Sequence, residues 1–217
     1  MKRILGFLAR TLPKPMIRDV AKEYKPLHSW IGVSLRVEKL NGKCLVEKDA
    51  DLINRNLMRI LYVLLANYAD SSGPEITLID TSNTSRTGYL YGSSSSTYPK
   101  YTLGTYEQGG LNDDATGILI GSGTTSPTRT DYNLESQITN SQITHQQQTY
   151  EELNDYEFRL NREFTDAQAD LSVTEAGIIY EVYISGDRYS FLLVRDTFSA
   201  ISVTTGNGIR VRYTFSF

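Results

Sequence analysis

The stretch that most restricts the fold of this chain is its final forty residues, where apolar side chains recur at every second position. Ile178, Tyr180, Val182 and Ile184 alternate with Ile179, Glu181 and Tyr183. A turn at Ser185-Gly186-Asp187 follows, then Tyr189, Phe191 and Leu193. Ile209, Val211, Tyr213, Phe215 and Phe217 occupy one face, with Arg210, Arg212, Thr214 and Ser216 on the other. A period of two is the pattern of half-buried strands. Tyr156, Phe158 and Leu160 repeat it upstream, as do Ile31, Val33, Leu35 and Val37. At Asn41-Gly42 both residues tolerate positive φ, which predicts a two-residue hairpin turn returning through Cys44 to Glu47.

One segment breaks the rhythm. Ile53, Leu57, Ile60, Leu61, Leu64 and Tyr68 recur at helical spacing, which predicts a helix over about 50–68 capped by Asp49 or Asp51. Turn-separated strands with one long helix, and no β-α-β alternation, predict a mainly β chain. The expected architecture is an antiparallel β-sandwich, jelly-roll-like, with the helix packed on a sheet. At 217 residues such a body at 27–217 can bury a core without metal or disulfide.

Residues 1–26 are set apart by charge: seven basic residues stand against two acidic ones, a surplus of five in a chain of net charge −3. Ile4, Leu5, Phe7, Leu8 and Leu12 are interleaved with Lys2, Arg3 and Arg10, which fits a short amphipathic helix ended by Pro13 and Pro15. So short a helix is marginal alone, so these five apolar residues are the expected assembly contact of a basic N-terminal arm. Nucleic acid or a membrane face is a less favoured partner for the arm. The Met1–Ala9 stretch resembles a leader but lacks a small-residue cleavage site, and it is read as retained.

A second unusual segment lies within a loop or insertion at about 81–116. Over 81–110, Ser, Thr, Gly and Tyr fill 22 of 30 positions, a composition suited to adaptable contact surfaces. Tyr89, Tyr91, Tyr98, Tyr101 and Tyr106 are its candidate ligand contacts, for a host surface glycan or protein. Asn83-Thr84-Ser85 fits a glycosylation acceptor.

Catalytic patterns are missing. Two histidines, His28 and His145, are present, and there is no Gly-x-Ser-x-Gly elbow or Cys–His arrangement. Gly121-Ser-Gly123-Thr-Thr125 is glycine-rich but lacks the lysine of a phosphate loop. Asp113-Asp114 and Glu151-Glu152 read as solvated charges, with no calcium-loop spacing. Cys44, the single cysteine, excludes an internal disulfide and is expected to be a buried thiol. No catalytic, metal or cofactor-binding residue is assigned, and no enzymatic activity is expected. Val173–Gly177 predicts a strand with a bulge, where glycine permits close backbone approach. Arg195-Asp196 is a candidate structural ion pair. No apolar run reaches the roughly 18 residues of a membrane helix.

Residues 118–138, ILIGSGTTSPTRTDYNLESQI, resemble a segment of structural proteins of tailed bacteriophages and archaeal viruses, in which a glycine-threonine turn precedes a "D-Y-x-L" stretch. Arg162–Thr165, Val173–Ile178 and FLLVRDTFSAISVTTGNGIRVRYTFSF at 191–217 follow in the same order, after a strand–Asn-Gly–strand–helix unit ending at Leu65. The resemblance covers about residues 30–68 and 117–217. It implies a spike, turret, collar, capsid-vertex or tail component, made in the host cytoplasm and residing in the virion, with copies of itself and other virion proteins as partners. It supplies no catalytic residues.

Overall fold

The computed structural model describes residues 32–65, 76–88, 109–184 and 187–216. The arm residues Ile4, Leu5, Phe7, Leu8 and Leu12 lie outside the described residues, as do Tyr89, Tyr91, Tyr98, Tyr101 and Tyr106.

The described chain is mainly β and antiparallel. The strands are β1 (Gly32–Lys39), β2 (Cys44–Asp49), β3 (Leu52–Ile53), β4 (Ile76–Ile79), β5 (Ser85–Gly88) and β6 (Gly117–Gly121). They continue with β7 (Thr144–His145), β8 (Thr149–Asn154), β9 (Glu157–Thr165), β10 (Leu171–Ile184), β11 (Asp187–Val203) and β12 (Ile209–Ser216). One helix among the described residues, α1, spans Arg55–Leu65. A six-stranded sheet runs β2-β1-β12-β9-β7, with β8 also on β9; a four-stranded sheet runs β3-β11-β10-β6; β4 and β5 form a separate hairpin.

The alternation predicted for β1 and β12 sets their register. Val33 faces Phe215, Leu35 faces Tyr213 and Val37 faces Val211, so buried side chains stand opposite one another across the pair. These residues share one buried cluster with Ile118, Ile120, Ala176, Ile178 and Val194 of the four-stranded sheet. The four-stranded sheet is also covered on its other face, where Leu134 packs on Leu119, Ile179 and Leu192. That two-sided cover explains why all five residues of β6 are buried.

Several local expectations change. The helix begins at Arg55, not near 50, because Leu52 and Ile53 pair with β11. Neither Asp49 nor Asp51 caps it. Asn54 does: its Oδ1 accepts the Asn56 amide at 2.9 Å and its carbonyl accepts Met58 N–H at 3.4 Å. The Asn41-Gly42 hairpin has a three-residue loop, closed by Lys39 N–H to Lys43 O at 2.9 Å. There Gly42 alone takes positive φ, while the Asn41 side chain accepts the Lys43 amide. Cys44 is exposed, because β2 is an edge strand with outward positions. Tyr156 precedes β9 in a turn and is exposed.

The predicted bulge is present, with the β10–β11 register shifting between Val173 and Glu175. Gly177 is a close-approach position, since a Cβ there would lie 2.7 Å from the Val194 carbonyl oxygen.

Arg195 and Asp196 do not pair with each other. As neighbours on a strand they point to opposite faces. Asp196 faces the shared core, where its Oδ2 accepts the Tyr213 hydroxyl at 2.9 Å and Oδ1 accepts the Asp51 amide. This contact ties β11 of one sheet to β12 of the other. Burial raises the Asp196 carboxyl from 3.8 to about 6, against the lowering effect of the Asp51 and Tyr213 hydrogen bonds.

The folded state therefore binds this proton more tightly than the unfolded chain. The stability from this group is present at about pH 4, falls as pH rises towards 6, and is level above that. Asp196→Asn is expected to gain on the wild type between pH 4 and pH 7 by up to about 3 kcal/mol, read from paired urea titrations. An equal gap between the two proteins at both pH values would refute this.

Candidate functional site

The Tyr-rich segment joins the described framework at two places, and both are held by buried charge. At its start, Asp80 is a buried carboxylate in the β4–β5 turn. It accepts the Ser82 and Thr84 amides, each at 2.9 Å, and Arg86 Nε at 2.6 Å. Although burial alone would raise its pKa, these bonds hold the Asp80 carboxyl below the usual range. Arg86 in turn lies 4.2 Å over the Tyr189 ring, and Thr81 N–H bonds to Ser190 O, so the hairpin is fixed to β11. Asn83 sits in this turn with φ of 61° and is exposed.

At its end, the chain returns at Gly109, whose amide bonds Thr116 Oγ1 at 2.9 Å and whose carbonyl accepts the Gln148 amide at 2.7 Å. Beneath it lies Arg162, a fully buried arginine on the core side of β9, opposite Val211. Its guanidinium makes five hydrogen bonds to backbone carbonyls. Nε reaches Gln146 O; Nη1 reaches Thr116 O and Ile118 O; Nη2 reaches Gly110 O and Asp113 O, at 2.7–3.0 Å. Five donors meet five acceptors, which is the full capacity of the group. Burial lowers its pKa to about 10, opposed by the charges of Asp113 and Asp114, so it remains cationic at neutral pH.

Arg162 also completes an edge. β6 pairs with β10 on one side. On the other, Ile118 presents its amide to Gln148 Oε1 at 2.7 Å and its carbonyl to Arg162, while Ile120 O accepts Ile138 N–H at 2.9 Å. Side chains and a returning loop thus stand where another strand would pair.

His145 lies buried beside this cluster, with Nδ1 3.2 Å from Asp114 Oδ1 and its ring edge-on to Phe164 at 5.0 Å. Burial lowers its pKa, which favours the neutral ring. Asp113 and Asp114 sit in a loop, half-buried, and cap local groups. Asp113 Oδ1 accepts the Ala115 amide and Asp114 Oδ1 the Asn140 amide, each at 2.7 Å.

The glycine-threonine turn after β6 closes over a second buried charge, Glu175. Its Oε1 accepts the amides of Gly123 at 3.0 Å and Ser136 at 2.8 Å; its Oε2 accepts the Glu135 amide at 3.1 Å and Arg195 Nε at 3.0 Å. A Cβ at Gly121 or Gly123 would fall within 2.6 Å of Glu175 Oε1, so this approach requires glycine. Arg195 also bonds Asp131 at 2.7 Å and Glu135 at 3.4 Å. Its pKa is lowered by burial but raised more by the Asp131 and Glu175 hydrogen bonds. The glycines therefore enclose a carboxylate of the protein itself. Each Glu175 oxygen accepts two hydrogen bonds from within the protein, so the carboxylate is fully engaged by its own framework.

Sequence reasoning missed Arg162 and Glu175. Each is a charged residue at a buried position of its strand, and each binds mainly backbone, for which no side-chain spacing exists. Among the described residues, no group of three or more His, Cys, Asp or Glu is arranged to hold a metal ion, and no helix is long and apolar enough to cross a membrane. Comparison with family models, curated proteins and solved structures gave no match for the chain.

Proposed function

We propose that this protein is a structural component of a virus particle, at a capsid vertex, collar or tail, and that it acts without catalysis by subunit assembly. The observation that carries the reading is the interlocking of the virion-like segments. Residues 118–138, Val173–Ile178 and the β11 part of 191–217 meet in one network, where Glu175 binds the amides of Gly123, Glu135 and Ser136 together with Arg195. Segments that the resemblance picks out separately along the chain thus form one physical unit, which is what a shared framework requires.

The two sheets contributing to one core, with the Tyr213–Asp196 bond between them, support a jelly-roll-like sandwich for the body. The basic arm 1–26 supplies the contact to a neighbour, and closed symmetric assembly follows from repeating that contact. Light scattering after size exclusion tests it. A discrete oligomer is expected for 1–217 and a monomer for 27–217, whereas monomers for both would sink the assembly mechanism.

A second reading, attachment through the Tyr-rich segment, is favoured by the rigid anchoring of Asp80 and Gly109 at its two ends. Glycan or host-protein binding that survives replacement of 89–108 by a short Gly/Ser linker would remove it.

A further inference from the structure

At the β8–β9 end of the six-stranded sheet two tyrosines stand out from the surface: Tyr150 is 63% exposed and Tyr156 68%. The Tyr150 ring lies 5.7 Å from Phe158, and Phe158 stacks on Phe215 at 4.7 Å, so an aromatic row runs from the core edge to an exposed end. The ribbon is also acidic. From Thr149 to Phe158 it carries Glu151, Glu152, Asp155 and Glu157 with no basic residue. Glu151 bonds Arg159 at 3.3 Å; Glu152 and Asp155 are exposed.

An aromatic and acidic surface is complementary to an apolar and basic segment, and residues 1–12 have that composition: Ile4, Leu5, Phe7, Leu8 and Leu12 among Lys2, Arg3 and Arg10. The chain also enters the sheet at this end. Gly32 pairs with Ser216, and Ser216 with Glu157 at the start of β9. Two strand spacings, about 10 Å, separate β1 from β9. Residues 13–31, when extended, reach about 60 Å. That reach is long enough to bring residues 1–12 to the same ribbon on a neighbouring molecule.

We propose that residues 1–12 of one copy dock on the β8–β9 ribbon of a neighbouring copy, with Tyr150 receiving the apolar side chains and Glu152 and Asp155 the basic ones. This inference rests on the assembly reading and names its contact. Lys2, Arg3 and Arg10 then select an acidic receptor surface, and the contact weakens with salt.

The test uses the full chain with a photo-crosslinking residue at Leu8, in mixtures of isotopically light and heavy copies. Crosslinks between light and heavy copies within 149–158 are expected. In the Tyr150→Ser, Glu152→Lys double variant, the concentration for half-dissociation of the oligomer is expected to rise at least tenfold. Both positions are exposed, so a circular dichroism melt matching the wild type separates lost docking from lost folding. Crosslinks confined to one copy or mapping elsewhere would overturn the proposal. So would an oligomer that still needs residues 1–26 but ignores the double variant, an outcome that leaves the assembly reading standing. A monomer at every concentration would remove both.

Discussion

Arg162→Met is expected to destabilise the protein by about 4 kcal/mol or more. The side chain volume is nearly kept, so the loss is electrostatic. Five carbonyls at Gly110, Asp113, Thr116, Ile118 and Gln146 lose the Arg162 donor, although Gly110 O keeps the Asp113 amide at 3.1 Å and Asp113 O keeps His145 Nδ1 at 3.3 Å. Each buried group left unsatisfied costs about 1–3 kcal/mol, and entry of water restores some of them. For a chain of this size about 2–4 °C of melting temperature accompanies each kcal/mol, so a fall of roughly 8–16 °C is expected by calorimetry. Arg162→Lys is expected to recover only part of this, because one ammonium cannot span five acceptors in a planar fork. A lysine variant melting within a degree or two of the wild type would show that charge, and not the five-bond geometry, is what matters.

Glu175→Gln is the second large effect, at about 3–5 kcal/mol. The substitution changes shape very little. It places an NH2 group where either Gly123 and Ser136 or Glu135 and Arg195 present donors, so two donors face a third. Because Glu175 and Arg195 act through one network, the Glu175→Gln, Arg195→Met double variant is expected to lose clearly less than the sum of the singles, by about 1 kcal/mol or more. Additive losses in guanidinium titrations would mean that the two residues act independently.

Much of the fold was legible because it rests on side-chain periodicity. That Val33, Leu35 and Val37 share one face, and Val211, Tyr213 and Phe215 another, follows from alternation, and the bulge before Glu175 is signalled by the glycine of Val173–Gly177. That the two faces meet across β1 and β12 is set by sheet order, which alternation does not carry. The errors share a cause, which is tertiary pairing overriding a local signal. Ile53 has helical spacing from Leu57 and Ile60, yet it joins β11, so the helix starts later and Asn54 takes the cap. Cys44 reads as apolar and buried, but edge position is a property of sheet order and is not written at position 44. Arg195 and Asp196 are adjacent opposite charges, but strand geometry sends them to different partners, Glu175 and Tyr213. The candidate contacts chosen from composition, in the arm and among the tyrosines, lie outside the described residues. The buried charges that fix the ends of the Tyr-rich segment bind main-chain atoms and carry no sequence spacing.

The pairing of β1 with β12 has a consequence for how the chain reaches this state. β1 is among the first described strands and β12 is the last, and their eight-residue register lies at the centre of the six-stranded sheet. A nascent chain emerging from the ribosome holds Val33, Leu35 and Val37 without their facing strand until residues 209–216 have been made. The β10–β11 hairpin, by contrast, closes from neighbouring sequence. Folding is therefore expected to begin at β10–β11 and to finish slowly with β1–β12, since distant strands must be joined against loop entropy. During that interval the apolar face of β1 and its β2 partner is open to mispairing, so prompt synthesis of the last strand limits aggregation.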